Sequence, residues 1–382
     1  MLKSVKVTQF EAGNWIKQSS YKSFSPTKIN RQWLIDQPEL ESLIAQAHQN
    51  LGALNAFSEL VPDVTFFIKM HIAKEATQSS KIEGTQTSVE EAFLKSEDIK
   101  PEKRDDWQEV QNYIQAMNYA LDRLNTLPIS NRLIRETHKI LLQGVRGEHK
   151  QPGEFRRSQN WIGGASLADA VFVPPPHHEV PNLMEDLEQF LHNDEIFISE
   201  LIRIAIAHYQ FETIHPFLDG NGRMGRLLIT LYLISKELLV KPSLYLSAFF
   251  DKHRQLYFDN LSNVRNKNDL LQWLKFFMVG VIETAESSVG SFRQIIILRR
   301  QLEIKINQLG KKRRDNAQLL LNYLFNQPVI TSQEAAKVIN KSIPTANTLI
   351  GDFVKMEILK EKTGYQRNRV FSFVEYIKLF EK

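Results

Sequence analysis

The 382-residue sequence predicts a mainly α-helical protein with one short β-hairpin and a small, separate C-terminal domain. Two observations support this fold class. Most of the chain repeats apolar residues at helical spacing, and β-prone segments with glycine or proline stand apart from that pattern. With 42% hydrophobic and 24% charged residues, the chain has the composition of a soluble globular protein of two or three domains.

Composition also excludes several classes of protein. The sequence has no cysteine, which excludes disulfides and thiolate metal sites. Its first residues, MLKSVKVTQFEAGNW, lack the apolar core of a signal peptide. The longest apolar run, LLITLYLISKELLV, contains Lys236 and Glu237 and is too short to span a bilayer. We therefore expect a cytoplasmic protein that does not contact membranes.

The helices follow from local patterns along the chain. Residues 1–60 are weakly patterned, and we expect an irregular start. A helical pattern runs from about residue 63 to SSKIEGT, where Gly84 suits a left-handed helix end. The stretch DDWQEVQNYIQAMNYALDRL is strongly amphipathic. Further helices are expected at about 130–143, 178–192, 197–213, 222–237, 247–263 and 268–305.

Two regions depart from this helical series. In NWIGGASLADAVFVPPP, β-prone ends flank a Gly-Gly turn and three prolines close the segment, which predicts a hairpin. After the linker-like GKKRRDN, helices at 317–326, 332–339 and 343–356 precede two short β runs in ILKEKTGYQRNRVFSF. Three helices followed by a β-wing are typical of a winged helix-turn-helix domain. The expected divisions are 1–100, 101–305 and 315–382.

Charge is distributed unevenly along the chain. The formal net charge is +4, yet residues 300–382 hold 15 Lys/Arg against 8 Asp/Glu. A basic C-terminal segment fits nucleic-acid contact, and it equally fits a solvated surface that happens to be basic. Winged helices also serve as protein-docking or dimer modules, so DNA, a protein partner and a homodimer all stay open. The candidate DNA contacts are Lys341, Thr345, Asn347, Thr348, Arg367 and Arg369.

The densest set of reactive side chains lies in HPFLDGNGRMGR, residues 215–226. GNGRMG within it matches the dinucleotide-binding G-x-G-x-x-G pattern, but that fingerprint requires a preceding strand and a βαβ unit. Here a helical pattern precedes the loop, and no parallel strand follows it. The sequence therefore does not favour a dinucleotide-binding fold.

The residues of this stretch nevertheless suit phosphate binding. Gly220, Asn221 and Gly222 can turn sharply and direct backbone N–H groups into one concavity at a helix N-terminus. Two arginines three residues apart on that helix would serve a polyphosphate. Asp219 is placed to hold Mg²⁺ together with phosphate oxygens, and His215 to act as a general base.

The stretch resembles the signature of the Fic (Fido) family, H-x-F-x-[D/E]-G-N-G-R-x-x-R. Every specified position matches, and these positions are His215, Phe217, Asp219, Gly220, Asn221, Gly222, Arg223 and Arg226. The resemblance implies a Fic-type helical bundle over 101–305 and transfer of AMP from ATP to a protein hydroxyl.

The resemblance also implies a role for each residue. His215 would deprotonate a Ser, Thr or Tyr hydroxyl, and Asp219 would hold Mg²⁺. The remaining positions assigned to the nucleotide phosphates are Gly220, Asn221, Gly222, Arg223, Gly225 and Arg226. Tyr257 and Asn260 are expected beside the adenine. The hairpin would be a flap that holds target backbone through Asn160, Trp161, Ile162, Gly163, Phe172 and Val173. The alternative is a hairpin that packs on the protein and binds no target.

A second family motif lies upstream. SSKIEG fits [S/T]-x-x-x-E-[G/N] at Ser79, Glu83 and Gly84, which marks an inhibitory helix at about 63–84. In the family its glutamate pairs with the second motif arginine, so the match implies Glu83 against Arg226. The alternative is an ordinary helix end with a surface glutamate and no inhibitory role.

These patterns support an ATP- and Mg²⁺-dependent protein adenylyltransferase inhibited by its own Glu83, with another protein or itself as the target. Removal of AMP by the same site is an alternative activity. A DNA-binding regulator in which the Fic core is secondary is an alternative of another class.

Overall fold

The computed structural model describes residues 4–60, 65–364 and 369–380. This part of the chain is mainly helical, as the sequence predicts. The helices are α1 Pro38–Leu60, α2 Thr65–Ile82, α3 Arg104–Arg123, α4 Asn131–Leu141, α5 Val180–His192, α6 Glu200–Ile214, α7 Asn221–Ser235, α8 Ser247–Lys252, α9 Arg254–Lys267, α10 Leu270–Asn307, α11 Lys311–Asn326, α12 Ser332–Val338, α13 Ile343–Lys355 and α14 Val374–Lys378. The strands are β1 Ser4–Lys6, β2 Gly13–Lys17, β3 Lys22–Pro26, β4 Gln32–Leu34, β5 Val329–Thr331, β6 Lys360–Glu361 and β7 Val370–Ser372.

Helix α6 forms the centre of the core. Every residue from 201 to 214 is buried, so the helix is enclosed on all sides instead of presenting one apolar stripe. It packs against α5, α7 and α10. Helix α7 leaves the same region after the six-residue connection 215–220. A helix therefore precedes the GNGRMG pattern, and the dinucleotide-binding interpretation does not apply.

The expectation of an irregular start was wrong for residues 38–60, which form α1. This helix packs along α10 through Leu40, Ala47, Leu51 and Leu54, all buried. Its buried positions are widely spaced and include a small alanine, so its apolar periodicity is weak in the sequence. The antiparallel pair β2–β3 and the parallel pair β1–β4 were also not predicted.

The predicted hairpin is present only in reduced form. A single bridge joins Ile162 and Phe172, and the intervening residues form a loop instead of two strands. The Phe24 N–H of β3 donates to the Val173 carbonyl at 3.0 Å, so the unpredicted β2–β3 pair lies beside this flap. Residues 247–263 form two helices that break at His253, where one helix was expected.

The C-terminal region contains the predicted helices and β runs. Its strands form one sheet in the order β5-β7-β6. The linker expected at 310–316 was wrong, because α11 already begins at Lys311. Arg367 lies outside the described residues. No helix in the described ranges is long and apolar enough to cross a membrane.

Candidate active site

The loop between α6 and α7 is a tight turn with a left-handed residue at each end. His215 ends α6 with φ 50°, and its N–H donates to the Phe211 carbonyl at 2.9 Å. Gly220 begins α7 with φ 75°, a conformation that glycine adopts at little cost. His215 and the N-terminus of α7 therefore lie at the two ends of one short loop.

Asn221 holds the loop closed. Its amide oxygen accepts from the Phe217 N–H at 2.8 Å, and its amide nitrogen donates to the Phe217 carbonyl at 2.9 Å. The expectation that this side chain grips phosphate is corrected, because both of its polar atoms bind the loop and only 2% of the residue is exposed. What remains available is its backbone N–H at the first turn of α7.

The His215 carbonyl is fixed by two side chains that the sequence did not reveal in this role. Arg156 donates through Nε at 3.0 Å and Asn160 through Nδ2 at 3.2 Å. Arg156 is almost fully buried and also donates to the Ile214 and Pro175 carbonyls. A buried guanidinium thus clamps the last turn of α6 and keeps His215 in its left-handed conformation.

The His215 ring is set up as a neutral base. Its Nδ1 lies 3.4 Å from the Glu212 carbonyl, which can only accept a hydrogen bond. Nδ1 therefore carries the proton, and Nε2 keeps its lone pair. Burial, with a contribution from the nearby Arg156 charge, lowers the pKa of His215 to about 4. The imidazole is consequently unprotonated at neutral pH.

His138 of α4 supports the same loop from below. Its ring stacks on Phe217 with centroids 3.6 Å apart. The Gly153 N–H donates to Nδ1 at 2.9 Å, so Nε2 carries the proton and donates to the Asp219 carbonyl, also at 2.9 Å. Burial lowers the pKa of His138 to about 4. Nothing in the sequence around His138 signals this role.

Asp219 and Arg223 lie side by side at the start of α7. The Asp219 side chain is 44% exposed, and its Oδ1 lies 3.8 Å from Arg223 Nη2. Arg223 is buried and donates through Nη1 to Glu109 Oε2 of α3 at 2.9 Å. The sequence did not point to Glu109, which lies 114 residues away in the chain.

The Arg226 side chain is bound by two residues of the upstream motif. Its Nη2 donates to Glu83 Oε1 at 2.7 Å and to the Ser79 carbonyl at 2.8 Å, while Nε donates to Ser79 Oγ at 2.9 Å. The Arg226 side chain is 2% exposed and that of Glu83 is 40% exposed. Gly84 follows with φ 108°. The contact expected between Glu83 and Arg226 is thus present.

The pair of Glu83 and Arg226 restricts the residue at position 222 and determines the ionisation of Glu83. A Cβ at Gly222 would lie 2.3 Å from Glu83 Oε1, so only glycine leaves room for the carboxylate. Burial opposes ionisation of Glu83, but the Arg226 guanidinium more than compensates and lowers the pKa of that carboxyl. Glu83 is therefore ionised against the arginine.

Gly225 does not face the loop, which corrects its expected place among the phosphate contacts. It packs against α6, where a Cβ would lie 2.3 Å from Glu212 Oε1. Glu212 is buried, and burial raises its pKa to about 7. The Gly225 carbonyl accepts from His208 Nδ1 at 3.1 Å.

The two residues expected beside the adenine differ in their surroundings. Tyr257 is 1% exposed, and its ring stacks on Phe250 with centroids 4.4 Å apart. Its hydroxyl lies 2.8 Å from His208 Nε2. Tyr257 is therefore part of the core and is not placed to stack on a base. Asn260 donates to the Leu256 carbonyl, while its buried Oδ1 has no partner among the described residues.

The flap residues divide into inward and outward sets. Asn160, Phe172 and Val173 are buried. Trp161 is 40% exposed and Ile162 is half-buried. Gly163 forms the turn with φ 67°.

The candidate DNA contacts in the described ranges are all exposed. Lys341, Thr345, Asn347 and Thr348 are exposed around the N-terminus of α13. Arg369 is exposed at the start of β7, with its guanidinium 5.4 Å from the Phe371 ring centroid. The structure therefore leaves these side chains accessible.

Two family models match the chain. The Fic/DOC family N-terminal model covers residues 41–122, and the Fic/DOC family model covers residues 128–233. The first range reaches from α1 to α3 and includes the Ser79–Glu83 segment. The second contains α4 to most of α7 and includes the whole candidate loop.

Curated relatives and solved structures agree with these models. The chain is 33% identical to Protein adenylyltransferase Fic of Aedes aegypti over 172 residues, which are 43% of this chain and 31% of the relative. It is 32% identical to the protein of the same name from Culex quinquefasciatus over 172 residues, with the same coverage of 43% and 31%. The match thus spans less than a third of the length of these relatives.

Among solved structures, a Fic family protein from Desulfovibrio desulfuricans G20 superposes with a TM-score of 0.56 at 20% identity, covering 89% of this chain and 97% of that one. A Fic domain containing signaling protein from Bacteroides thetaiotaomicron VPI-5482 gives a TM-score of 0.51 at 18% identity, covering 66% and 97%. These two similarities concern the fold.

Proposed function

The chain belongs to the Fic/DOC family, and from that premise we propose that it is a protein adenylyltransferase that transfers AMP from ATP to a target hydroxyl. We further propose that Glu83 restrains this activity. The observation that carries the proposal is the arrangement of one loop: a neutral histidine, a half-exposed aspartate and two arginines around the N-terminus of α7. The names of the curated relatives support the same reaction.

The proposed reaction uses His215 as general base. Nε2 takes the proton of a Ser, Thr or Tyr hydroxyl as the oxygen attacks the α-phosphorus. The new O–P bond forms as the bond from the α-phosphorus to the bridging oxygen breaks, and pyrophosphate leaves with the displaced electron pair. A positioned base of this kind typically contributes about 10²–10⁴-fold to the rate. The clamp of Arg156 on the His215 carbonyl keeps that base in position.

The nucleotide would be held by backbone and guanidinium groups. The N–H groups of the first turn of α7 point toward an anion at the helix N-terminus. Arg223 and Arg226 would neutralise phosphate oxygens once Arg226 is released. The unpartnered Oδ1 of Asn260 would accept from the amino group of the adenine.

Asp219 fits a Mg²⁺ site completed by the nucleotide. Mg²⁺ is commonly held by one or two carboxylates together with substrate phosphates. Asp219 offers one half-exposed carboxylate, and the described residues contain no group of three or more metal-ligating side chains. When bound, the ion would neutralise charge on the phosphates. The residues present therefore fit a nucleotide-dependent site, and His138 fixes the backbone of Asp219.

The restraint follows from the contacts of Arg226. Its Nε and Nη2 are already used by Ser79 and Glu83, so its charge is compensated before ATP arrives. A charge-assisted hydrogen bond contributes about 1.5–3 kcal/mol, so its loss should raise the productive population at least about ten-fold. We expect Glu83→Gly to increase AMP transfer by at least that factor.

Labelled ATP tests this proposal. Label from the α-phosphate should appear on protein with Glu83→Gly, exceed that with the wild type, and disappear with Glu83→Gly/His215→Ala. Glu102→Gly is a matched control at an exposed glutamate and should behave as the wild type. Equal labelling of wild type and Glu83→Gly would contradict the restraint. No labelling by Glu83→Gly in any cell lysate would contradict the transferase activity.

Removal of AMP is the second candidate reaction, favoured by the 40% exposure of the Glu83 side chain beside the site. In that reaction Glu83 would position a water molecule for attack on the phosphodiester. To test this reaction, a target protein is labelled with Glu83→Gly and then incubated with the wild type. Release of AMP favours removal, and retention of the label excludes it.

A further inference from the structure

The two motif arginines are held in different ways, although both are buried. Arg226 has Nε and Nη2 occupied by Ser79 of α2 and by Glu83, the first residue after this helix. Arg223 makes a single short contact through Nη1, with Glu109 of α3 at 2.9 Å. Its Nη2 faces Asp219 Oδ1 at 3.8 Å, and its buried Nε has no partner among the described residues. Nη1 is thus the atom of this guanidinium that a short contact with the protein holds, among the described residues.

Glu109 is itself held by a second arginine. Its Oε1 accepts from Arg146 Nε at 3.1 Å, and Arg146 Nη2 lies 3.0 Å from the same oxygen. Arg146 Nη2 also donates to Asp106 Oδ1 at 2.8 Å. Only 7% of Glu109 is exposed, so its carboxylate depends on these two guanidiniums for compensation. Its two oxygens are divided between Arg146 and Arg223.

The segment that follows Arg146 touches the other end of this network. A Cβ at Gly147 would lie 2.9 Å from Asp219 Oδ2, so the chain passes directly against the proposed metal ligand. The charges alternate from Asp106 through Arg146, Glu109 and Arg223 to Asp219. Each guanidinium is therefore located by carboxylates on both sides.

We infer that Glu109 is a positioning residue for Arg223, anchored in turn by Arg146. By taking Nη1, it fixes the guanidinium with Nη2 beside Asp219, next to the N-terminus of α7 where the phosphates would lie. This role differs from that of Glu83, which occupies the nucleotide-facing atoms of its arginine. The inference rests on the proposed function, since it assigns Arg223 to phosphate.

Nucleotide binding tests this role apart from catalysis. Dissociation constants for ATP·Mg²⁺ and for adenosine should be measured with Glu83→Gly and with Glu83→Gly/Glu109→Gln. We expect the second protein to bind ATP about ten-fold more weakly, because Arg223 loses its charged anchor, with adenosine binding unchanged. A general loss of structure would weaken both ligands together. Arg146→Ala in the same background should weaken ATP binding in the same direction.

Asp122→Asn is the control, because it removes an exposed carboxylate from the C-terminal end of the same helix. It should leave both dissociation constants unchanged. Equal ATP affinity with and without Glu109→Gln would overturn the inference. So would increased AMP transfer by Glu109→Gln alone, which would make Glu109 a second restraint. Weakened ATP binding without any AMP transfer would support the role of Glu109 while contradicting the proposed reaction.

Discussion

His215 combines a left-handed backbone with a partly buried ring, and both properties serve proton transfer. The left-handed conformation is fixed by Arg156 and Asn160, and the ring hydrogen bond fixes the tautomer. Burial and the Arg156 charge lower its pKa to about 4. A base with this pKa stays unprotonated across the physiological range, at the cost of weaker intrinsic basicity.

This pKa gives a residue-scale prediction. An unperturbed histidine would be about 97% protonated at pH 5, whereas His215 should remain mostly neutral there. Its imidazole resonances, assigned with His215→Gln and followed by NMR, should show no titration between pH 5 and 8. A midpoint near 6.5 for His215 would show that burial does not control its ionisation.

The stability linked to His215 has a definite sign. Because its folded-state pKa lies below the unfolded value, it contributes full stability only above about pH 6.5. That contribution falls as pH decreases toward 4. The buried His138, whose pKa is also lowered to about 4, acts in the same direction.

The sequence predicted the residues of the loop but not those that hold it. Residues 215–226 are local in the chain, so their spacing and chemistry are readable together. His138 and Glu109 reach the loop from 81 and 114 residues away. A lone buried histidine or glutamate carries no local pattern. The placement of Tyr257 beside the adenine was wrong for a related reason. An aromatic residue at helical spacing does not reveal whether it faces the core or a cleft.

Helix α2 has two faces with different roles. Ser79, together with Glu83 directly after the helix, contacts Arg226, while Met70, Ala76 and Ile82 are buried in the core. The helix packs against α3, α8 and α11. Removing the restraint and removing the helix are therefore different experiments.

We expect a protein that begins at residue 85 to unfold instead of becoming active. The deletion removes α1 and α2 and exposes the apolar surfaces of α10, α8 and α3 that they cover, and fully burying one large apolar side chain contributes about 1.5–3 kcal/mol. Circular dichroism and labelling with ATP measure this directly. A folded, highly active truncated protein would show that α2 is a dispensable arm. Glu83→Gly, which keeps the helix, is the matched control and should melt near the wild-type temperature.

The helices with strong apolar periodicity were predicted from the sequence. The elements that were not predicted have physical causes. Helix α1 buries widely spaced positions that include Ala47, which weakens its apolar signal. The basic run GKKRRDN suggested a linker, yet it forms the exposed first turns of α11, since lysine and arginine are good helix formers. Exposure and charge do not distinguish a solvated helix from a linker.

The whole molecule joins a core of modest negative charge to a basic C-terminal region. In the described residues, helices α11 to α14 and the sheet β5-β7-β6 form that region, and exposed polar side chains surround the N-terminus of α13. A recognition helix reads the major groove with residues near its N-terminus. We propose that this region contacts duplex DNA, with Thr345, Asn347 and Thr348 toward the bases and Lys341 and Arg369 on phosphates.

Salt dependence decides between DNA and a protein partner. If three to four phosphates are neutralised, the logarithm of the binding constant for a 20-base-pair duplex should fall with a slope of roughly −3 against the logarithm of salt concentration. Lys341→Glu/Arg369→Glu should weaken binding at low salt, because two phosphate contacts become repulsive. Lys139→Glu, an exposed lysine of α4, should have little effect. No duplex binding at low salt, or equal loss with Lys139→Glu, would contradict the DNA contact and favour protein docking, since a site-specific phosphate contact must depend on where the charge lies.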